Sequence, residues 1–393
     1  MHAMVAQSQW HRPQRRGSVQ RPTARYTFVH RGIITAVDRA ATCGCGSPVM
    51  KKANAMINLA MLSFWHVHAG DYARQADEHP DTQLVAVWDE NAERGRTEAA
   101  KRNLTFYESL DELLAREEVH GVINDTPTTM HLSVLTAAAR AGKHIFTEKV
   151  VAATQREDDL INRAVQQAGV ALTVSLPRVY WGITQAIHDV VASGALGTLT
   201  YARVRVSHDG ALATARHANG WLPAHFYDLG ETAGGAMIDL GCHPMYLTRM
   251  LLGMPETVQS TFGYFTGRDV EDNAVVTLGY TNGAIGVVET GFVAPGDRGT
   301  VELHGTDGSL LLSGPEQKLT YRSRKTTDGA WMTVDAIPAD ASPAFSQWVE
   351  HIKLGTRADA NVALASELSA LMEAANLAAK TGQTVRVETL VRA

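Results

Sequence analysis

Apolar runs of strand length alternate with helical runs over a long stretch of this chain, and this alternation limits the possible folds most. The apolar run 57–62 is followed by a helical pattern over about 69–78, and a second apolar run, 84–88, ends in Asp89. Two strands joined by a helix form the parallel opening unit of a doubly wound α/β domain. Further strand and helix patterns continue the alternation, at 106, 110–116, 121–124, 132–141, 145–147, 157–167 and 170–174.

After residue 199 the pattern changes to short alternating runs that are typical of an antiparallel sheet, and Thr281-Asn282-Gly283 is a hairpin signal. Strands are predicted at 200–206, 258–264, 273–280, 284–292, 300–305 and 309–312, with a C-terminal helix around 361–379. The predicted fold class is α/β, with a Rossmann dinucleotide-binding domain over 56–176 and then an α+β domain with a large open, mostly antiparallel sheet over 177–393. Because one face of an open sheet is exposed, we expect a homo-oligomer, a dimer or tetramer, formed through that sheet.

The stretch 234–247 combines glycines, an apolar helical run and two ionisable side chains, Asp239 and His243, one helical turn apart. Residues four apart on a helix are neighbours, so the carboxylate is expected to reach the imidazole, fix its tautomer and raise its basicity. That geometry suits a general base. The structural alternative is that Asp239 merely holds a buried histidine.

A second polar segment, Thr147-Glu148-Lys149, follows an apolar pair at a predicted strand end, where open α/β sheets place their ligands. Together the two segments, E-K-V and G-G-A-M-I-D-L-G-C-H, resemble the Gfo/Idh/MocA family of NAD(P)-dependent oxidoreductases. The resemblance implies hydride transfer between NAD(H) and a secondary alcohol of a sugar, cyclitol or related polyol. His243 would take the hydroxyl proton, Asp239 would support the imidazole, and Lys149 would stabilise the developing alkoxide.

The resemblance extends to two further details. Thr126-Pro127 with His131 is similar to a family segment that lies beneath the nicotinamide end of the cofactor. Val150 stands where the family has a proline, which often forms a cis bond that fixes the direction of the lysine. Lys149 could share in proton transfer if burial and nearby charge lowered its pKa.

The turn after the first strand departs from the usual G-x-G-x-x-G, since Ser63, Trp65 and His68 occupy the three glycine positions. The following helix N-terminus still offers free N–H groups to phosphate, and His66 or His68 could add donors. Asp89 is placed to accept hydrogen bonds from the adenosine ribose, and an acid there favours NAD over NADP. The predicted cofactor-binding residues are Ser63, Phe64, Trp65, His66, Val67, Asp89, Thr126, Pro127, His131 and Glu148.

His66 and His68 also have the spacing of a pair of metal ligands. A metal site needs a third and fourth ligand, which the local sequence does not supply, although the fold could bring in His131 or Glu148. We therefore expect two packed or phosphate-facing histidines and no metal. Cys43 and Cys45 likewise lack a second ligand pair nearby.

Four residues are candidates for substrate contact. Arg178 and Tyr180 follow the last predicted strand of the first domain, where the family commonly has a polar pair facing the substrate, and simple domain packing is the alternative. Trp221 and His225 lie in an aromatic stretch before the 234–247 segment. An aromatic ring with nearby donors suits a sugar, although such loops also close domain interfaces.

Composition excludes several classes of function. A net charge of −5 argues against nucleic acid as the main partner. No apolar run approaches the length that spans a bilayer, and three cysteines suit a reducing cytoplasm. Residues 1–55 are rich in arginine and lack apolar periodicity, so we expect a disordered or non-native extension; Arg15-Arg16 lacks the apolar region of an export signal.

Two other functions stay open. The first is an enzyme with tightly bound NAD that oxidises a sugar carbon transiently for elimination, hydrolysis or epimerisation. The second is a non-catalytic sugar-binding or regulatory protein that has lost the cofactor together with its glycines.

Overall fold

The computed structural model describes residues 56–296 and 299–391. The predictions made for residues 1–55, including those for the twin arginines and for Cys43 and Cys45, lie outside the described residues. Within the described ranges the chain forms two sheets and the helices that cover them.

The first sheet has six parallel strands: β1 (Ile57–Leu62), β2 (Thr82–Trp88), β3 (Thr105–Tyr107), β4 (Gly121–Asn124), β5 (His144–Thr147) and β6 (Leu172–Val174). The helices between them are α1 (Ala69–Glu78), α2 (Ala92–Arg102), α3 (Leu110–Leu114), α4 (His131–Arg140) and α5 (Gln155–Ala168). The spatial order β3-β2-β1-β4-β5-β6 reverses between β1 and β4. The predicted Rossmann domain is confirmed.

Burial explains why these segments form a parallel sheet. Most positions in the strands are apolar, and Leu59 and Phe146 are almost completely buried. Continuous apolar strands are typical of a sheet that helices cover on both faces. Local signals set the helix ends: the Thr154 side chain accepts the Glu157 N–H at the start of α5, and Gly169 ends it in the left-handed conformation.

The second sheet has nine strands: β7 (Leu199–Ser207), β8 (Thr257–Gly263), β9 (Asn273–Gly279), β10 (Ile285–Gly291), β11 (Thr300–Gly305), β12 (Gly308–Ser313), β13 (Lys318–Ser323), β14 (Trp331–Thr333) and β15 (Val385–Arg386). Their order is β14-β13-β12-β11-β7-β10-β9-β8-β15. Only the β7–β10 pair is parallel among these described strands. The mostly antiparallel sheet is confirmed, and β13 to β15 are strands that the sequence analysis does not predict.

The remaining helices are α6 (Gly182–Ala192), α7 (Leu229–Thr232), α8 (Ala236–Asp239), α9 (Cys242–Leu252), α10 (Ala344–Leu354), α11 (Asp359–Thr381) and α12 (Glu388–Val391). One face of the second sheet packs against α9 and α11, and its Val204, Val276 and Val288 are buried. On the other face Val275 and Ile285 are 45% and 46% exposed in the single chain.

The C-terminal helices also pack against the first sheet. The rings of Phe345 and Trp348 in α10 contact Phe146 of β5, and α11 contacts α5 and β6 as well as β8. Residues beyond 177 therefore contribute to the packing of both sheets. The domain boundaries at 55/56 and 176/177 stay predictions.

Helix α11 is also long and apolar enough, by length and composition alone, to cross a bilayer. Half of its apolar window is buried inside the protein, as in a core helix. The statement that no segment approaches the length of a membrane span does not hold for α11.

Candidate active site

The predicted catalytic segments meet at the carboxyl end of the parallel sheet. The turn after β1, Thr126-Pro127 after β4 and Glu148-Lys149 after β5 lie at neighbouring strand ends, beside the point where the strand order reverses. Open α/β sheets bind their ligands at such a point. The segment that begins α8 and α9 reaches the same place from the second domain, because Lys149 contacts Asp239.

Asp239 holds Lys149 in place. The Lys149 Nζ donates to Asp239 Oδ1 at 2.8 Å and to the Asp239 carbonyl at 2.6 Å, and it lies 3.5 Å from Glu148 Oε1. The Lys149–Val150 peptide bond is cis. Burial alone would lower the pKa of Lys149, but the carboxylates of Asp239 and Glu148 outweigh burial and raise that pKa. Its pKa is therefore not lowered as proton transfer by Lys149 would need, and the role of Lys149 in catalysis stays a prediction.

Asp239 and His243 do not form the predicted pair. Helix α8 ends at Asp239 and α9 begins at Cys242, so one continuous helical turn does not connect the two side chains. The Asp239 carboxylate faces Lys149, while the Nδ1 of His243 lies 3.1 Å from the Tyr246 hydroxyl. The prediction that Asp239 orients His243 is wrong, and Tyr246 has that contact instead.

The charge state of the site suits a proton acceptor beside a fixed cation. Burial lowers the pKa of His243 well below its usual value, and the cations of Lys149 and Arg178 lower it further, whereas Asp239 raises it less. The expected rise in the basicity of His243 is therefore also wrong. Burial raises the pKa of Asp239, but Lys149 and His66 outweigh burial and hold it well below its usual value. A neutral imidazole therefore lies in the same site as an ammonium group and a carboxylate.

The turn after β1 is built without glycine. Ser63 takes the left-handed conformation, with φ of 76°, and its hydroxyl accepts the Trp65 N–H at 3.0 Å. The Trp65 ring is buried and stacks on Phe226 at 5.0 Å, with its Nε1 donating to Glu231. The tryptophan at the second glycine position thus packs against a loop of the second domain.

Asp89 anchors this turn. Its Oδ2 accepts the Phe64 N–H at 2.9 Å, its Oδ1 accepts the Asn91 N–H at 2.8 Å, and Arg94 donates to both oxygens at 2.9 and 2.7 Å. The carboxylate is also almost fully buried. The prediction that Asp89 offers free acceptors to a ribose is wrong in this geometry. Arg94, which the sequence analysis does not single out, neutralises Asp89 and remains partly exposed.

The start of α1 fits a dinucleotide. Among the described residues no side chain caps this helix, Val67 is 47% exposed, and a Cβ added at Gly70 would meet nothing within 4 Å. The first N–H groups of a helix lack intrahelical acceptors and attract anions. Phosphate binding by Val67 and the N-terminus of α1 stays a prediction.

His66 does not face the phosphate end of this turn. Its Nε2 lies 3.5 Å from Asp239 Oδ1 and 3.9 Å from Glu148 Oε1, inside the group that contains Lys149. His68 Nδ1 lies 3.5 Å from Glu148 Oε2, which also contacts the Tyr72 hydroxyl. His66, His68 and Glu148 form a group of metal-ligand type, and the fold brings in Glu148 as a third ligand from 80 residues away.

The residues after β4 form contacts mainly with other groups of the protein. The Thr126 hydroxyl donates to Asn124 Oδ1 at 2.9 Å. The His131 ring is fully buried and lies 2.9 Å from the Val150 carbonyl and 3.2 Å from the Thr126 carbonyl. His131 therefore fastens the two strand-end loops to each other, and the cofactor contacts of Thr126, Pro127 and His131 stay predictions.

The four residues that are predicted to contact the substrate lie in different environments. The Arg178 guanidinium stacks on Trp181 at 4.4 Å and affects the pKa of His243, so it lies at the site. Tyr180 is buried, and its hydroxyl accepts from Asn361 of α11 at 3.3 Å, which is a packing contact within the second domain. His225 Nε2 lies 2.9 Å from the Trp65 carbonyl, and the Trp221 indole donates to Asp209 at 3.0 Å. Their substrate contacts stay predictions.

Sequence reasoning also missed Tyr72 and Tyr246. Both are aromatic residues on helices whose spacing indicates only a buried face, and their hydroxyl contacts appear only in the fold. Cys242 adds a buried thiol whose Sγ donates to the Asp239 carbonyl at 3.1 Å. Burial raises the pKa of the Cys242 thiol to about 12, so it stays protonated.

Comparison with known proteins agrees with this architecture. Residues 66–176 match the model of an oxidoreductase family with an NAD-binding Rossmann fold, and residues 184–311 match the GFO/IDH/MocA C-terminal domain. A crystal structure of an NAD-binding protein from Listeria innocua superposes with a TM-score of 0.71 at 22% identity, over 85% of this chain and 98% of that one. At that identity the likeness shows the fold.

Two curated relatives are similar in sequence. The chain is 28% identical over 233 residues to the 1,5-anhydro-D-fructose reductase of Ensifer adhaerens, across 58% of this chain and 68% of the relative. It is 28% identical over 243 residues to the scyllo-inositol 2-dehydrogenase (NADP(+)) of Bacillus subtilis (strain 168), across 60% of this chain and 65% of the relative. Because the two family models together match more than half of the chain, the protein belongs to the Gfo/Idh/MocA family of NAD(P)-dependent oxidoreductases.

Proposed function

We propose that the protein is a dehydrogenase or reductase that transfers a hydride between a nicotinamide cofactor and a secondary alcohol of a sugar, cyclitol or related polyol. The observation that carries the proposal is the buried Lys149–Asp239 pair beside a neutral His243. The similarity to enzymes named for anhydrofructose and scyllo-inositol supports the substrate class.

Each side chain has one task in this proposal. Lys149 stays protonated and donates a hydrogen bond to the reacting oxygen, which stabilises the developing alkoxide. His243 takes the hydroxyl proton because its imidazole is neutral. Asp239 aims Lys149 at the oxygen through the 2.8 Å contact. When bound, the nicotinamide supplies the hydride acceptor or donor.

We propose NAD(H) or NADP(H) as the cofactor. The preference for NAD that Asp89 indicated loses its basis, since Arg94 neutralises that carboxylate. A cationic side chain near the ribose accommodates a 2′-phosphate. The similar enzyme of B. subtilis is named for NADP(+), whereas the L. innocua protein is named for NAD.

The first experiment is a titration of the purified full chain with NAD, NADH, NADP and NADPH by calorimetry and nicotinamide fluorescence, followed by a screen of sugars and cyclitols. Saturable binding and redox turnover support the proposal. Turnover without added cofactor, with NAD released on denaturation, favours transient oxidation by a tightly held cofactor. The absence of binding and of released cofactor favours a non-catalytic sugar-binding protein.

The second experiment separates catalytic from binding roles. Lys149→Met and His243→Ala are expected to lower kcat by at least about a hundredfold, because general acid–base catalysis contributes roughly 10² to 10⁴. Cofactor affinity should change little in both variants. Lys149→Arg keeps the charge and checks folding, and His188→Ala on the exposed face of α6 is the control. Loss of cofactor binding in both variants would refute these roles.

A further inference from the structure

Two imidazoles and a buried carboxylate converge where the glycine-rich turn would be. His66 and His68 lie on the turn between β1 and α1, and Glu148 follows β5. The potential ligand atoms of these three residues all lie within 4.8 Å of one another. His68 Nδ1 is 3.5 Å from Glu148 Oε2, and His66 Nε2 is 3.9 Å from Glu148 Oε1.

These separations are those of ligands that surround an ion. Hydrogen bonds between nitrogen and oxygen have lengths of about 2.7 to 3.2 Å, so neither contact is a well-formed hydrogen bond. Ligands at about 2.0 to 2.1 Å from a tetrahedral zinc ion lie roughly 3.4 Å apart. Shifts of a few tenths of an ångström would therefore bring the nitrogen and oxygen atoms onto one ion.

A second observation comes from Glu148 itself. Its Oε1 is buried and forms no hydrogen bond with any group in the described part of the chain. Oxygen atoms of a buried carboxylate normally have a partner. This oxygen faces His66 Nε2 and Lys149 Nζ, so it is aimed into the cluster rather than into an apolar wall.

The surrounding charges leave room for a cation. Two carboxylates, those of Glu148 and Asp239, lie at the site, and the Lys149 ammonium contacts both of them. Asp239 Oδ1 lies 3.5 Å from His66 Nε2, on the side where a fourth ligand or a substrate oxygen would stand.

We propose that His66, His68 and Glu148 form a binding site for a divalent transition-metal ion of the Zn²⁺ type, with an open position towards Asp239. Two imidazoles and one carboxylate are a common ligand set for such ions when a position is left open. Coordination through Nε2 moves the ring proton of His66 to Nδ1, which ends the 3.2 Å hydrogen bond that Nδ1 accepts from the His68 N–H and the 3.5 Å contact of Nε2 with Asp239 Oδ1. Two long contacts are thus exchanged for coordinate bonds. The site goes beyond the proposed hydride transfer and does not depend on it.

The test measures metal binding directly on the full chain after treatment with a chelator. Zn²⁺ is titrated by calorimetry, and Co²⁺ is followed by its visible absorption, which reports the ligand geometry. We expect one ion per chain, and weaker binding by more than about a hundredfold in His68→Ala and Glu148→Gln, since even outer-shell changes cost roughly 10- to 100-fold. His68 is 43% exposed at its side chain, so its truncation should leave the fold intact.

The control variant is His188→Ala, which removes an exposed histidine far along the chain on α6. Its Zn²⁺ affinity should equal that of the wild type. The proposed site would be refuted if Zn²⁺ did not bind, or if His68→Ala and Glu148→Gln bound Zn²⁺ as strongly as the wild type. NADH titration of the same metal-free samples tests the proposed function separately, so a failure of one proposal is distinguishable from a failure of the other.

Discussion

At the scale of single residues, the candidate site depends on which groups neutralise one another. Lys149 and Asp239 form a buried pair, and each holds the other in its charged form. A buried pair of this kind is costly to break, because removal of one partner leaves an uncompensated buried charge. His243 has no such partner, and its neutrality follows from burial and from the neighbouring cations. The site thus separates a fixed hydrogen-bond donor from a group that can accept a proton.

Tyr246 is predicted to position His243. Its hydroxyl accepts the Arg178 N–H at 3.1 Å and lies 3.1 Å from His243 Nδ1, so it restrains the rotation and tautomer of the ring. We expect Tyr246→Phe to lower kcat by about tenfold with little change in cofactor KM, because orientation is lost while the proton acceptor remains. Steady-state kinetics with saturating cofactor measure the effect. An unchanged kcat in a folded variant would show that Tyr246 has only a packing role.

Arg94 is predicted to set cofactor preference. It neutralises Asp89 and keeps its guanidinium partly exposed beside the β2 end, where a 2′-phosphate would be placed. Arg94→Ala should weaken NADPH binding by about tenfold, or about 1.4 kcal/mol, and should weaken NADH binding less, because the freed Asp89 repels the extra phosphate. Fluorescence titration with both cofactors measures the ratio.

A matched control for this variant lies on the same helix. Arg96 pairs with the exposed Glu108, and its side chain is 55% exposed. Arg96→Ala should leave both affinities unchanged. An equal loss of affinity for NADPH and NADH in Arg94→Ala would mean that Arg94 supports the turn and does not discriminate between the two cofactors at the ribose.

At the scale of elements, the contact between helices α5 and α11 buries an ionisable side chain, Asp158, whose charge opposes folding at neutral pH. Asp158 of α5 is completely buried against α11 and accepts hydrogen bonds from Asn162 and from Ser366. Its Oδ1 has no hydrogen-bond partner within the described chain. Burial raises the pKa of Asp158 to about 6, and the hydrogen bonds from Ser366 and Asn162 only partly offset that effect.

This raised pKa predicts the direction of a pH effect on stability. The folded protein holds the Asp158 proton up to pH near 6, whereas the unfolded chain releases it near pH 4, so this contribution to stability is lost as pH rises between these values. Asp158→Asn should therefore raise the free energy of unfolding at pH 7.5 by on the order of 2 kcal/mol, with little effect at pH 4. Urea unfolding followed by circular dichroism at several pH values measures it.

The control for this effect is Asp189→Asn, which changes an acid that is 76% exposed at its side chain. It should alter the free energy of unfolding equally little at both pH values. A lower stability of Asp158→Asn at pH 7.5 would contradict the prediction and would indicate that the two accepted hydrogen bonds outweigh the burial of the charge.

At the scale of the whole molecule, the outer face of the nine-stranded sheet is a surface that the described residues leave uncovered. Val275 of β9 and Ile285 of β10 are exposed there, next to an ion pair between Arg203 and Glu289. Strand pairing places Val275 opposite Glu289 and Ile285 opposite Tyr201. The mixture of apolar side chains and paired charges is suited to contact with a second copy of the same surface.

We therefore expect a dimer or tetramer in solution that depends on this face. Val275→Arg combined with Ile285→Arg should shift the protein towards the monomer, because two buried charges would lack partners in the interface. Light scattering after size-exclusion chromatography measures the mass. Leu160→Arg, at an exposed apolar position on α5, is the control. An oligomer that survives the double substitution would place the interface elsewhere.

The type and order of the elements could be predicted from the sequence because they depend on local pattern. Continuous apolar runs indicate buried parallel strands, and alternation indicates an antiparallel sheet, whatever the distant partners are. Both sheets, the Thr281–Gly283 hairpin and the helix around 361–379 follow this rule. This rule does not predict β14 and β15, because strands of three and two residues are too short to show a periodic pattern.

The partners within the site could not be predicted in this way, because they come from distant parts of the chain. Asp239 is only four residues from His243 in the chain, yet it contacts Lys149, which is 90 residues away. His66 meets Asp239 across 173 residues, and Trp65 meets Glu231 across 166. Sequence pattern determines which chemical groups reach the end of the parallel sheet, whereas three-dimensional packing determines which of them face each other, because charge pairing and burial depend on distances that periodicity does not specify.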